Sequence, residues 1–213
     1  MKIKKRIKIF LCVMLASALL MPRIDVWAAE LSPQWEYELS ITIVSVPGSS
    51  LSLVNGNYGH AFIIVRNDSS IQLTIGHMTV PAESAITIGT FGNRSTHDGI
   101  WYNIEGYHGV SGGYAASYSV PYDDLSALND AINYHDSHSD LTDNCTHFAK
   151  DVWNSVVPSA YQVTGTMPST LASSISSLDI ATTSYSVPQK AITDIAYQTS
   201  TSVVYSTAGA NQH

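Results

Sequence analysis

The hydrophobic period of the chain changes once, from two residues to between three and four, and that change most constrains what it can fold into. Leu39-Ser-Ile-Thr-Ile-Val-Ser-Val46 alternates in its first half, is rich in β-branched residues and stops at Pro47-Gly48, so it reads as a strand. His60–Arg66 and Ile71–Val80 flank Asn67-Asp-Ser-Ser70, a turn of the composition that closes hairpins. Ala85–Phe91, Gly99–Glu105 and Tyr114–Val120 read as further strands, with Ser111-Gly112-Gly113 as a flexible break. After Pro121 the period lengthens. Leu125, Leu128 and Ile132 follow Asp123 as an N-cap, a second helix starts near Cys145, and Pro168 opens a third with Leu171, Ile175 and Leu178. Strands first and helices later imply an α+β fold, an antiparallel sheet followed by helices.

Charge divides the 213-residue chain at another point. Six of its ten basic residues and one of its seventeen acids precede Ala29. Lys2–Lys8 form a positive region, Ile9–Met21 an apolar run, and Val26-Trp27-Ala28 a small-residue cleavage site, so residues 1–28 read as a signal peptide and the protein as secreted. Thirteen apolar residues fall short of the about 20 a permanent anchor needs, so no stable membrane insertion is expected after cleavage. The remainder carries 4 basic and 16 acidic side chains. So acidic a surface neutralises few phosphates, which argues against nucleic acid as a partner. Residues 29–181 read as one domain and 182–213, rich in Ser, Thr and Ala, as a peripheral strand or tail.

Beyond the signal segment a single cysteine is left. Cys145, Phe148, Ala149, Val152, Trp153 and Val156 form one apolar stripe, so Cys145 faces inward. Asp143 or Asn144 supplies the cap, placing the thiol in a first turn where free amides and the helix dipole favour a thiolate. A free cysteine is often only a small buried hydrophobe, but an unpaired thiol in an oxidising compartment calls for a reason. A nucleophilic thiol needs a base. If the hairpin turn is centred between Asp68 and Ser69, His60 faces His77 with Cβ atoms about 4.5–5.5 Å apart, and one imidazole orients the other. A shift of register by one residue removes the contact.

Tyr58-Gly-His-Ala-Phe-Ile63 and, about 80 residues later, Asn144-Cys-Thr-His-Phe-Ala149 resemble the histidine and cysteine blocks of circularly permuted papain-like enzymes. These include the PPPDE peptidases, the lecithin retinol acyltransferase-like proteins and permuted NlpC-type hydrolases. The resemblance spans about Trp35 to Leu178 in order of elements and is confined to those two blocks in residue detail. It implies a permuted papain-like fold with Cys145 as nucleophile, His60 as base and His77 as orienting residue; no cofactor or metal is expected. The expected function is an exported cysteine peptidase or amidase acting on cell-wall peptide, peptidoglycan or extracellular protein. A non-catalytic secreted binding module and a lipid acyltransferase or thioesterase are the alternatives.

Other constellations compete less well. Gly109-Val-Ser-Gly-Gly113 fits G-x-S-x-G, but that motif needs a strand before it and a helix after. His135, Asp136, His138 and Asp140, with His97 and Asp98, offer metal-type ligands, and Asp136, Asp140 and Asp143 calcium-type ones. A solvated helix end with capping acids explains them more simply. His147 lies about 200° around the helix from Cys145 and is no partner for it. Trp101, Tyr102, Tyr107, Tyr114, Tyr118 and Tyr122 suit a carbohydrate or peptide groove, though such residues more often build core and sheet surface.

Overall fold

A computed structural model describes residues 39–48, 59–91, 97–137 and 144–211, all within a unit spanning Trp35–His213. The β-branched segments form strands β1 (Leu39–Pro47), β2 (Gly59–Asn67), β5 (Ala85–Phe91) and β7 (Tyr114–Val120), near their predicted bounds. Shorter strands are β3 (Leu73–Ile75), β4 (Met78–Val80), β6 (Gly99–Tyr102), β8 (Ala181–Thr182), β9 (Ala196–Gln198) and β10 (Val203–Tyr205). Eight of these make one antiparallel sheet in the order β10-β9-β6-β5-β2-β1-β7-β8, and β3 pairs with β4 apart from it. The helices are α1 (Ile104–His108), α2 (Leu125–Tyr134), α3 (Cys145–Val156) and α4 (Pro168–Ser176). The fold is thus mixed α and β around a large antiparallel sheet.

Alternation along the strands explains why both sheet faces are covered. Ile41 and Ile43 of β1 and Ala61, Ile63 and Val65 of β2 share a core with Phe148, Ala149, Val152 and Trp153 of α3 and with residues of α2 and α4. Burial of each large side chain in this stripe contributes about 1.5–3 kcal/mol. The intervening Val44, Val46, Phe62 and Ile64 face the other way, under Val110, Tyr185 and Val187. Residues 183–195 run from β8 near one sheet edge to β9 near the other, so the C-terminal segment straps this second face and ends as two strands of the sheet. Among the described residues no helix is long and apolar enough to cross a membrane. The predicted signal peptide, residues 1–28, lies outside the described residues.

Three local expectations fail. The segment predicted to pair with β2 does not: β2 lies between β1 and β5, with Ile63 opposite Ile88, and 71–80 folds on itself as β3 and β4. The cause is Asn67, whose buried amide donates to the carbonyls of Ile71, Val80 and Pro81 and whose backbone amide bonds Ser84. Residues 68–84 become an excursion closed by one side chain rather than a hairpin arm. The strand predicted over Gly99–Glu105 stops at Tyr102, because Asn103 adopts a left-handed φ of 68° and turns the chain into α1. Asp123 sits in a 3-10 turn before α2, whose N-cap Asp124 makes no side-chain capping bond.

Candidate active site

The start of α3 is fixed by its cap. The Asn144 Oδ1 accepts from the amides of Thr146 at 2.9 Å and His147 at 3.3 Å, and its carbonyl takes the Phe148 amide. Of the first-turn amides, the Asn144 cap therefore leaves that of Cys145 unused. Cys145 is a free, partly exposed cysteine, and Phe148, Ala149, Val152 and Trp153 anchor the helix beneath it.

The imidazole that meets this thiol comes from β2. His60 is buried opposite Val46 of β1, in the part of β2 that has no partner on β5, since that pairing begins at Ile63. Its imidazole stacks on Phe62 at a centroid distance of 5.8 Å and lies 4.7 Å from Phe91. Nε2 stands 2.9 Å from Oε1 of Glu105, a fully buried carboxylate on α1. A carboxylate only accepts, so Nε2 carries the proton and Nδ1 is the nitrogen left for the thiol. The second carboxylate oxygen accepts from the Thr87 hydroxyl of β5 at 2.7 Å. Both oxygens of Glu105 are thus occupied, as a buried charge requires.

Close approach here depends on a missing side chain. A Cβ on Gly89 would stand 2.1 Å from Oε1 of Glu105 and 3.1 Å from Nε2 of His60. Only glycine lets β5 pass under the pair.

Electrostatics follow from these contacts. Burial by itself pushes the His60 pKa down, but hydrogen bonds and charge from Cys145 and Glu105 outweigh it and raise the value to about 9. Burial pushes the Cys145 thiol up, yet the hydrogen bond and charge of the His60 imidazole, with the Ala61 amide, hold it below its ordinary value. The two shifts have opposite sign and one origin: the thiolate and imidazolium stabilise each other while Glu105 steadies the imidazolium from behind. The arrangement suits nucleophilic attack by sulfur and proton return by His60.

The structure brings together Cys145 and His60 and leaves His77 elsewhere. His77 sits in the β3–β4 turn, its Nδ1 bonded to the Thr199 carbonyl at 2.9 Å and its amide to Tyr102 and Gln198. Glu105 takes the orienting place that sequence reasoning gave to His77. The signal for it was a lone acid in the apolar run Ile100-Trp-Tyr-Asn-Ile-Glu-Gly106. Ser111 of the G-x-S-x-G match lies between α1 and β7, the reverse of the strand-to-helix order that motif needs. His138, Asp140 and Asp143 lie outside the described residues, and among those described no group of three or more acids, histidines or cysteines is placed to hold a metal. Trp101 and Tyr102 are fully buried, in separate clusters, whereas Tyr107, Tyr114 and Tyr122 are exposed. Comparison of the chain with protein-family models, with curated proteins and with solved structures finds no match.

Proposed function

We propose that the chain is an exported cysteine hydrolase that cleaves an amide bond in cell-wall peptide or extracellular protein, with the permuted papain-like order of histidine strand before cysteine helix. The observation that carries this reading is the line Glu105–His60–Cys145, in which a buried carboxylate with both oxygens bonded backs a buried imidazole against a thiol at a helix start. The positively charged, apolar and small-residue sequence over residues 1–28 supports export.

In this mechanism the Cys145 thiolate attacks the scissile carbonyl carbon, and the negative charge moves to the carbonyl oxygen. The Cys145 amide, unused by the cap, donates to that oxyanion. Collapse of the intermediate breaks the C–N bond, and the imidazolium of His60 gives its Nδ1 proton to the departing amine. Water then attacks the thioester as His60 takes up a proton, releasing the acid and restoring the thiolate. Glu105 holds the ring in place and lowers the free energy of the imidazolium throughout.

The test is incubation of the chain without residues 1–28, and of its Cys145→Ala variant, with purified peptidoglycan and with casein. New amines released by the parent chain and not by the variant support the reading. Equal release by both, or none from either substrate, overturns it.

A further inference from the structure

The second face of the sheet, away from α2, α3 and α4, changes character along its strands. Near the site it is apolar, with Val44, Val46, Phe62 and Ala115 under the strap. Further along β1, β2 and β7 it presents hydroxyls and one guanidinium. Here the strap stands as a wall, and between wall and sheet lies a cavity of about 370 Å³. A merely solvated sheet face would be flat. This volume falls within the about 300–1,000 Å³ of small-molecule sites.

The chemistry of the lining is specific. Thr42 and Ser117, opposite each other on β1 and β7, place their hydroxyls 2.8 Å apart, so each offers a polar atom upward while bonding the other. Arg66 commits Nε to Asp68 at 2.6 Å, and Asp68 also accepts from Ser40 at 2.8 Å. That leaves the terminal guanidinium nitrogens as donors on an exposed side chain, with a carboxylate beside them that disfavours an anionic ligand. Tyr185 donates its hydroxyl to the Gly112 carbonyl at 2.6 Å, which fixes the ring, and Pro188 lies beside it in the wall. Burial pushes the tyrosine pKa up to about 12, so the ring stays neutral. An aromatic ring and a proline for apolar ring faces, paired hydroxyls for hydroxyls and a half-compensated guanidinium describe a polyol partner.

The geometry points to a saccharide-binding site on this face, taking about one or two rings of a neutral glycan by volume. Ile64, which lines it, lies four residues from His60 along β2, about 13 Å at the strand rise, so the site is separate from Cys145 and does not depend on turnover. The experiment titrates chitotriose, cellotriose and maltotriose separately into the full chain carrying Cys145→Ala, by calorimetry. Expected is saturable one-to-one binding of at least one of them, lost in Ser117→Arg, which fills the cavity from an exposed strand position, and weakened about tenfold in Arg66→Ala. An unchanged iodoacetamide labelling rate of Cys145 when Ser117→Arg is placed in the parent chain, which keeps the cysteine, verifies that this substitution leaves the fold intact. No saturable binding of any of the three, or binding that survives Ser117→Arg, overturns the proposal, whatever the outcome of the hydrolase assay.

Discussion

Gly89→Ala is the smallest change that probes the site's construction, because it adds one methyl group to a strand and removes no functional atom. The new Cβ would meet Oε1 of Glu105 at 2.1 Å, whereas ordinary contact begins near 3.4 Å, so the carboxylate must withdraw by about 1.3 Å. His60 cannot simply follow. Its Nε2 is itself 3.1 Å from the added carbon, and its ring is wedged between Phe62 and Phe91. The 2.9 Å bond between the pair is therefore lost or badly bent. A hydrogen bond to a charged group contributes about 1.5–3 kcal/mol, and stranding a buried charge costs about 3–5 kcal/mol, so unfolding free energy should fall by about 2–4 kcal/mol. With the imidazolium less stabilised, Cys145 alkylation by iodoacetamide near neutral pH should slow by about tenfold or more. A double-mutant cycle separates the clash from any effect of alanine on β5. In a Glu105→Ala background the carboxylate is gone, and adding Gly89→Ala should cost about 1 kcal/mol or less. Wild-type labelling and stability in Gly89→Ala, or an equal cost in both backgrounds, would refute the reasoning.

Three further outcomes follow from the same contacts. Glu105→Gln keeps the shape and the bond to His60 but removes the charge, so the pH at which Cys145 becomes alkylable should move up toward that of an ordinary thiol while the fold is retained, as read by circular dichroism and labelling profiles. His60, raised from 6.5 to about 9, contributes stability lost as pH rises through about 9, but the lowered Cys145 thiol offsets this until an unfolded thiol ionises at about 8.5, so urea midpoints should hold up to about pH 8.5 and drop above it in the parent chain more than in His60→Gln. His77→Ala removes a bond to the Thr199 carbonyl, and thermal denaturation should show a loss of about 0.5–1.5 kcal/mol with no change in Cys145 labelling.

Much of this architecture was legible because both faces of the sheet are buried by regular patterns. β5 and β7 were legible from their β-branched and aromatic residues, and α3 from one stripe whose members touch the sheet. His60 and Cys145 were legible as chemistry: a histidine heading an apolar strand and a cysteine after a capping asparagine. Glu105 was not, for two physical reasons. Its helix has five residues, too short to show a 3.6-residue period, and it exists because one asparagine takes a left-handed conformation. Its partner lies 45 residues away across β5, a separation that no local pattern carries. The misplaced His77 has a matching cause. A turn composition shows that the chain reverses but not that the Asn67 side chain gathers carbonyls as far away as Pro81, and that knot decides which segment becomes the neighbour of β2.

The central claim is that Cys145 rests as a thiolate because His60 and Glu105 hold the imidazolium beside it. Titrating the ultraviolet absorbance of the thiolate in the folded chain, with Cys145→Ser as the blank, tests this without any substrate. The account predicts a thiolate transition below the about 8.5 of a free cysteine, and its return toward that ordinary value in His60→Ala. A single transition near 8.5 in the parent chain, unmoved by His60→Ala, would contradict it.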